Sequence, residues 1–279
     1  MSGASNSGAS NKKVALVTGA SSGIGKSIAY QLLKEDWIVY GGARRVAKME
    51  YIAAAGAKVL SLDVTDEAST TAAIETILST EGQIDALVNN AGYGSYGALE
   101  DVPISEAKRQ FEVNVFGLMR LTQLVLPTMR ESKSGTIVNI SSMGGRIWSP
   151  IGGWYHATKH AVEVLSDALR VETEPFGIRV VVVQPGLIES EWSGIAARTL
   201  REASRGSAYT SLVESMAKFL DRYPNAASPD VVAKAVSEAV NNPNPRRRYA
   251  TPLDAKTLIF LRWLLPDWAW DGLIGVAIR

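Results

Sequence analysis

The chain has 279 residues, of which 46% are hydrophobic, and its formal net charge is +1. This length suits one α/β domain or at most two small ones, and the balanced charge offers no basic surface for nucleic acid. Cysteine is absent, and the two histidines, His156 and His160, have no acidic cluster beside them. Disulfides, thiol nucleophiles and thiolate metal sites are therefore excluded, and we predict no metal centre.

The two ends of the chain differ in composition from its middle. Residues 1–12 are small and polar and lack the features of a secretion signal, so we predict a flexible tail and a cytoplasmic protein. The segment 254–279 is apolar and carries Trp263, Trp268 and Trp270, but charged residues interrupt it and argue against a membrane span. We predict a helical extension that packs as core, covers the substrate, joins subunits or makes peripheral membrane contact.

Short β-branched runs alternate with helical patterns between these ends. The predicted strands are Val14–Val17, Ile38–Tyr40, Lys58–Ser61, Ala86–Val88, Thr136–Ile140, Arg179–Val183 and Arg248–Ala250. The helical patterns include Ile28–Lys34, Glu106–Met129 and Ala157–Glu172. Apolar strands separated by helices are typical of a doubly wound, parallel, Rossmann-type sheet with helices on both faces. We predict one such domain over residues 13–279, with the irregular, polar stretch Thr199–Pro229 inside a substrate-lid region near 190–229.

A glycine-rich turn, Thr18–Gly25, links the first strand to the first helix. Its glycines allow a tight turn, a close approach of backbone to a pyrophosphate, and close packing of helix on strand. The start of the helix then offers free N–H groups and the positive end of its dipole to phosphates. We therefore predict a dinucleotide site, and its residues in this turn are Gly19, Ser21, Ser22, Gly23, Ile24 and Gly25.

The second strand is followed by two bases, Arg44 and Arg45, and by no acid. An acid at this place holds the ribose 2′-hydroxyl of NAD, whereas a guanidinium suits the 2′-phosphate of NADP. We therefore predict NADP(H) in preference to NAD(H), with Arg44 as the main phosphate ligand and Arg45 as the second. The hydroxyl of Ser21 could add a contact, and a solvated basic loop is the alternative interpretation.

From Lys13 to Ser190 the sequence resembles the short-chain dehydrogenase/reductase family. The extra residue between the first two glycines of the turn is the form seen in that family. Further motifs follow in the family's order: Asp63-Val64, Asn89–Gly92, Asn114, Ser142, Tyr155–Lys159 and Pro185-Gly186. The resemblance implies a nicotinamide cofactor and hydride transfer between its ring and a carbonyl or alcohol carbon of a small molecule.

The resemblance also implies several cofactor contacts. The Asp63 carboxylate and the Val64 backbone would hold the adenine, although Asp63 could also cap the following helix. The segment after the fourth strand would pass the ribose, and the turn after the sixth strand would wall the nicotinamide, with the Ile188 backbone on its carboxamide. The residues of these two segments are Asn90, Ala91, Gly92, Pro185, Gly186 and Ile188. Ser190 stands close to where the family often has threonine.

Tyr155 and Lys159 lie four residues apart on one predicted helix and share a face. A nearby ammonium would lower the pKa of the phenol, which could then exchange a proton with the substrate oxygen. Ser142, or its neighbour Ser141, would hydrogen-bond the same oxygen, and strand alternation points only one of them at the site. The resemblance adds ribose binding by Lys159 and a relay water held by Asn114.

Aromatic residues near the expected pocket favour an apolar substrate, such as a steroid-, retinoid- or acyl-like carbonyl compound, unless the rings belong to core packing. These residues are Tyr93, Tyr96, Trp148, Trp154 and Trp192. We place His156 and His160 on the flank of their helix, outside catalysis. The resemblance suggests a homodimer or homotetramer built through Glu106–Met129 and Ala157–Glu172.

Three other functions compete with this one. A catalytically inactive NADP-binding regulator would be expected to lack Tyr155 or Lys159, and both are present. A sugar-nucleotide epimerase or dehydratase carries a differently spaced glycine turn and a larger C-terminal substrate part. A 3-oxoacyl-type reductase shares the reaction type, and the long stretch beyond Pro185 argues mildly against it.

Overall fold

Seven parallel strands form the centre of the computed structural model, which describes residues 12–189, 191–222 and 226–278. The strands are β1 Val14–Thr18, β2 Ile38–Ala43, β3 Lys58–Ser61, β4 Ala86–Asn89, β5 Gly135–Ile140, β6 Ile178–Pro185 and β7 Arg248–Thr251. Their order is β3-β2-β1-β4-β5-β6-β7, and each neighbouring pair is parallel. The order changes direction between β1 and β4, where doubly wound sheets bind ligands at the carboxyl ends of their strands. The predicted Rossmann-type sheet is confirmed.

Helices cover both faces of this sheet. They are α1 Gly23–Lys34, α2 Glu50–Ala54, α3 Glu67–Glu81, α4 Ile104–Phe111, α5 Gly117–Glu131, α6 Gly153–Thr173, α7 Glu191–Ala203, α8 Thr210–Arg222, α9 Asp230–Asn241, α10 Leu253–Leu264 and α11 Asp267–Ile278. Alternate residues of β1 explain why the strands are apolar on both sides. Ala15 and Val17 pack with α1 and α9, whereas Val14 and Leu16 pack with α3 and α5.

The predicted helix Glu106–Met129 is present in the structure, but a π-helical turn interrupts its α-helical hydrogen bonding. The π-helical turn Glu112–Phe116 separates α4 from α5, and Asn114 stands at its centre. Such turns occur mostly at functional sites because they displace one residue from the regular helical ladder. Apolar spacing alone does not reveal this insertion, since the flanking helices keep their own regular patterns.

The region after β6 is helical, so the irregular structure predicted for Thr199–Pro229 is wrong for most of that stretch. Helices α7 and α8 bury apolar side chains that recur at helical spacing. The buried residues are Ala196, Ala197, Leu200, Val213, Met216, Ala217 and Leu220. The outer faces of both helices are polar and give the segment its polar composition. The helical spacing of the apolar residues is therefore difficult to recognise in the sequence.

The C-terminal segment forms α10 and α11, and its tryptophans have different surroundings. Trp270 is fully buried, whereas Trp263 and Trp268 are each 78% exposed. Core packing, one of the four predicted roles, therefore holds for Trp270. Among the helices that the structure describes, none has both the length and the apolar character needed to cross a bilayer.

Candidate active site

The turn between β1 and α1 has the backbone shape that a pyrophosphate needs. Gly19 and Gly23 have positive φ angles of 68° and 51°, which favour glycine. A Cβ on Gly25 would lie 2.4 Å from the carbonyl oxygen of Gly19, so only glycine lets the helix approach the turn this closely. Ser22 is the N-cap of α1, but its side chain makes no capping hydrogen bond. The first N–H groups of α1 are thus left to a phosphate, and the turn fits a dinucleotide.

Thr18 ties this turn to the segment after β4, a role that the sequence-based argument missed. Its hydroxyl accepts hydrogen bonds from the backbone N–H groups of Asn90 and Ala91, each 2.9 Å long. The side-chain amide of Asn90 in turn donates to the Thr18 carbonyl over 2.8 Å. The ends of β1 and β4 are therefore fixed to each other at the crevice.

Arg44 and Arg45 follow β2 and are both exposed. The Arg45 guanidinium lies 3.5 Å from the Ser21 hydroxyl oxygen, so this base borders the phosphate-binding turn. The strand itself ends in Ala43, and no carboxylate stands at its end. The local charge is thus suited to an anionic group on the ribose.

Asp63 is held as an anion in the crevice. Burial acts to raise the pKa of its carboxyl, but hydrogen bonds from Thr65 and the positive charges of Arg44 and Arg109 outweigh burial and lower that pKa. The alternative role of Asp63 as a helix cap is wrong, because Asp66 is the N-cap of α3. Arg109 was not identified from the sequence, since a base in the last turn of a helix also suits the helix dipole.

The three catalytic candidates meet at the carboxyl end of β5. The Tyr155 phenol is buried and hydrogen-bonds the Ser142 hydroxyl. The Lys159 ammonium donates to the Ile140 carbonyl over 2.9 Å and lies 6.0 Å from the centre of the Tyr155 ring. Ser141 lies on the other side of the strand end, where its hydroxyl faces Gly145. Ser142 is therefore the serine beside the phenol, as strand alternation allows.

Burial controls the protonation of this group. It raises the pKa of Tyr155 to about 12, and the hydrogen bond from Ser142 offsets only part of this shift. Burial also lowers the pKa of Lys159 to about 8, against the opposing charge of Glu163. The expected lowering of the Tyr155 pKa by Lys159 is therefore wrong for this arrangement, because desolvation of the phenolate dominates.

Asn114 is fully buried and fixes the segment after β4. Its side-chain oxygen accepts the Tyr93 N–H over 3.0 Å, and its amide donates to the Tyr93 carbonyl over 2.9 Å and to the Thr158 hydroxyl over 3.1 Å. A Cβ on Gly92 would lie 3.1 Å from the Asn114 oxygen and 3.7 Å from the Lys159 nitrogen. Asn114 and Lys159 therefore both border Gly92, on the side to which a Cβ would point.

The turn after β6 is braced by neighbouring segments. Pro185 ends β6, and the Gly186 N–H donates to a carbonyl of β7 over 2.8 Å. Ile188 forms a parallel bridge with Ala227, whose hydrogen bonds use the residues on either side of Ile188. The peptide groups of Ile188 itself therefore point away from Ala227 and remain oriented for a ligand. Ser190 lies outside the described residues.

Helices α7 and α8 belong to the same apolar cluster as Tyr155. The ring of Tyr96 lies 5.8 Å from the Tyr155 ring, and both belong to one apolar cluster with the inner faces of these helices. The cluster consists of Tyr96, Ala98, Ile151, Tyr155, Ala196, Ala197, Leu200, Val213, Met216, Ala217 and Leu220. The environment next to the phenol is thus apolar, and the helices that create it lie where the lid was predicted.

The other aromatic residues have separate positions. Trp154 meets Phe111 edge-on with ring centres 6.4 Å apart, which is core packing. Trp148 lines a shallow pocket of about 440 Å³ that neither Ser142 nor Tyr155 lines. The side chain of Trp192 lies outside the described part of the chain. Of the predicted aromatic set, Tyr96 alone has a ring contact with the phenol among those that the structure describes.

His156 holds the loop that follows Ser142, so its predicted place on the helix flank is wrong. Its Nδ1 lies 3.0 Å from the Gly144 carbonyl oxygen and its Nε2 lies 3.0 Å from the Ser149 hydroxyl. Burial lowers the pKa of His156 to about 4, so the imidazole is neutral. His160 is exposed. Within residues 12–189, 191–222 and 226–278 no cluster of side chains could hold a metal ion.

The comparison with protein families agrees with this geometry. Residues 13–199 match the model of the short chain dehydrogenases. The chain belongs to the short-chain dehydrogenase/reductase family. The probable short-chain type dehydrogenase/reductase VdlC of Helicobacter pylori is 33% identical over 266 residues, covering 95% of this chain and 97% of that one. The NADPH-dependent 3-dehydrocapnine reductase of Ornithobacterium rhinotracheale is 34% identical, covering 91% and 93%.

Solved structures of short-chain dehydrogenases share the fold. One from Streptomyces avermitilis has a TM-score of 0.80 at 34% identity and covers 94% of this chain and 98% of its own. The 3-ketoacyl-(acyl-carrier-protein) reductase of Brucella melitensis, complexed with NADH, has a TM-score of 0.73 at 29% identity and covers 86% and 96%. The protein is thus an oxidoreductase of this family. A nicotinamide dinucleotide is supported as its cofactor, although these relatives include both NADH and NADPH proteins.

Proposed function

We propose that the protein is an NADP(H)-dependent oxidoreductase that interconverts a carbonyl group and a secondary alcohol on an apolar substrate. The observation that carries this proposal is the Tyr155 phenol, hydrogen-bonded to Ser142, beside Lys159 and beneath α7 and α8. The apolar cover favours a steroid-, retinoid- or acyl-like compound over a sugar. The names of the 3-dehydrocapnine and 3-ketoacyl reductases support a substrate that carries a ketone.

The bound cofactor would supply or accept the hydride, and the residues of the chain would manage the proton. Because burial raises the pKa of Tyr155 to about 12, the phenol is protonated at neutral pH and can donate to a developing alkoxide. Ser142 would donate a hydrogen bond to the same oxygen. Lys159 would bind the ribose, and Asn114 would hold the water that connects Lys159 to solvent. This protonation state favours carbonyl reduction.

Replacing Tyr155 by phenylalanine tests the mechanism. The variant keeps the ring in its apolar cluster but removes the proton donor, so the rate of carbonyl reduction should fall by about 10²- to 10⁴-fold. NADPH binding, measured by nicotinamide fluorescence, should change little. Tyr209→Phe is the control, because it alters an exposed tyrosine that bonds Glu100. Reduction at the wild-type rate in Tyr155→Phe would refute the proposal.

Replacing Arg44 by alanine tests the choice of NADP(H). A hydrogen bond to a charged group contributes about 1.5–3 kcal/mol, so the preference for NADPH over NADH in kcat/KM should fall about tenfold or more. Lys34→Ala is the control, since it removes an exposed positive charge at the far end of α1. An unchanged preference in Arg44→Ala would show that Arg44 does not bind the 2′-phosphate.

A 3-oxoacyl-type reductase is the second candidate, and the similarity to the 3-ketoacyl reductase of Brucella melitensis favours it. NADPH consumption measured over acyl thioesters, steroids, retinoids and simple ketones separates the two. The inactive-regulator alternative gains no support, because the phenol, the serine and the lysine are assembled. A regulator without chemistry would consume NADPH with none of these compounds.

We also propose a homodimer or homotetramer formed through α5 and α6. Phe116 directly precedes α5 and is 52% exposed, and Val164 and Val171 on α6 are 68% and 58% exposed. Val164 and Val171 lie seven residues apart on α6 and share one face of it. This face is suited to bury itself against a second copy of the chain.

A further inference from the structure

The turn that follows β6 is contacted by a carboxylate from the C-terminal part of the chain. Asp254 lies in the first turn of α10, and its Oδ2 accepts the Leu187 N–H over 2.8 Å. The N-cap of α10 is Pro252, and it makes no side-chain capping bond. The Asp254 carboxylate is therefore directed to the turn after β6 and does not cap its own helix.

Gly186 shows how closely this carboxylate approaches the turn. A Cβ on Gly186 would lie 2.5 Å from both oxygens of Asp254 and 2.7 Å from its Cγ. Carbon and oxygen atoms that are not bonded do not approach so closely. Any side chain at position 186 would displace the carboxylate, so the glycine and the aspartate are matched to each other.

The turn is thus held by three backbone contacts. Gly186 donates to Thr251 at the end of β7, Leu187 donates to Asp254, and Ile188 bridges to Ala227. Two of these three ties come from the segment that contains β7 and α10. Loss of the carboxylate would leave the Leu187 N–H without its partner, so the turn would be free to move.

We propose that Asp254 is a positioning residue for the nicotinamide ring. It fixes the Leu187 amide, and through it the backbone of Ile188, in the orientation that walls the ring and meets its carboxamide. This inference rests on the proposed function and on the family resemblance, which implies that the nicotinamide lies against this turn. Asp254 acts through the turn and would contact neither the ring nor the substrate. Because Asp254 belongs to α10, this helix would take part in cofactor binding.

The shape of the side chain at position 254 provides the test. Asp254→Asn keeps an oxygen acceptor of the same shape and should bind NADPH within about twofold of the wild type. Asp254→Ala removes the acceptor, and Asp254→Glu keeps the charge but adds a methylene that cannot fit over Gly186. Both should raise the Kd for NADPH about tenfold, the effect of losing one hydrogen bond to a charged group.

Asp267→Ala is the matched control, because Asp267 also lies in the first turn of a C-terminal helix but pairs with Arg262 at an exposed site. It should leave the Kd unchanged. The Kd is measured by nicotinamide fluorescence and the thermal midpoint by calorimetry, and kcat is measured with any ketone that the wild type reduces. The cofactor Kd is readable without turnover, so a failure of the proposed reaction and a failure of this inference are distinguishable.

Several outcomes would overturn the inference. One is an Asp254→Ala or Asp254→Glu variant that binds NADPH with the wild-type Kd, whether or not its thermal midpoint is lower. Such a result would show that Asp254 does not position the cofactor. Another is an Asp254→Asn variant as impaired as Asp254→Ala, because charge and not the acceptor would then matter. Should Asp254→Ala fail to fold, the contrast between Asp254→Asn and Asp254→Glu decides the question alone.

Discussion

At the scale of single residues, burial favours the neutral forms of Tyr155, Lys159 and His156. It raises the pKa of Tyr155 to about 12, lowers that of Lys159 to about 8 and lowers that of His156 to about 4. The common cause is desolvation, which penalises whichever form is charged. The group is therefore arranged to give up a proton from a phenol, and His156 contributes neutral hydrogen bonds to its frame.

His156 should make the folding stability depend on pH. Its pKa is about 4 in the folded state, against 6.5 for an exposed histidine. Between these pH values the imidazole is protonated in the unfolded chain but neutral in the folded chain. The free energy of unfolding therefore decreases as the pH falls from 6.5 to 4, by about 3 kcal/mol at most. His156→Asn should be less stable than the wild type at pH 7, but its free energy of unfolding should decrease less as the pH falls. Urea unfolding across this pH range measures both effects.

The control for this prediction is His160→Asn, which removes an exposed histidine four residues away. It should keep the wild-type slope of stability against pH. If His156→Asn loses stability as steeply as the wild type between pH 6.5 and 4, the carboxylates and not His156 cause the dependence.

The sequence identified the residues of the site better than their electrostatic state. Tyr155, Lys159 and Ser142 follow from spacing, because residues four apart on a helix share a face and the serine ends a strand at the same edge of the sheet. The direction of the Tyr155 pKa shift could not be predicted, since it depends on the cover that distant helices provide. Thr18 was missed because its bonds reach a segment far away in the chain.

At the scale of secondary-structure elements, an ion-pair network joins β7 to α6. Arg248 donates to Glu163 over 2.9 Å and also pairs with Asp167. Glu163 is nearly fully buried and accepts a further hydrogen bond from Gln184 on β6 over 3.0 Å. The edge strand is thus fastened to the helix that carries Tyr155 and Lys159.

Removing Arg248 should destabilise the protein more than removing an exposed arginine. Arg248→Ala leaves the Glu163 charge buried without its partner, and such losses cost about 3–5 kcal/mol. We expect a value near 3 kcal/mol, because Gln184 still bonds Glu163. Arg201→Ala is the control, since its pair with Asp221 is exposed and should contribute less than about 1 kcal/mol. Equal losses in the two variants by urea unfolding would contradict the prediction.

The strands that are buried on both faces were predictable from their composition. The helices α7 and α8 were not. Arg179–Val183 and Thr136–Ile140 consist mostly of β-branched residues, and both lie within strands of the structure. Helices α7 and α8 were missed because their small buried alanines give a weak apolar signal beside many polar residues. The π turn at Asn114 packs against α6, and the hydrophobic periodicity of the local sequence carries no information about this tertiary contact.

At the scale of the whole molecule, the exposed face of α6 should decide the assembly state. Val164→Asp with Val171→Asp places two charges on the proposed interface, so the oligomer should dissociate into monomers, measured by light scattering after size exclusion. Val276→Asp is the control, because Val276 on α11 is 77% exposed. Dissociation by Val276→Asp alone would place the interface on the C-terminal helices instead.

The ties from Thr251 and Asp254 to the turn after β6 also set an order of events during synthesis. Because synthesis starts at the N-terminus, the phosphate-binding turn is made early and the residues that hold the Gly186 amide are made late. In chain order, the phosphate-binding turn of the dinucleotide site thus precedes the residues that hold its nicotinamide end. On the proposed role of Asp254, the nicotinamide pocket is completed only after β7 and the start of α10 have emerged, so competence for hydride transfer is acquired last.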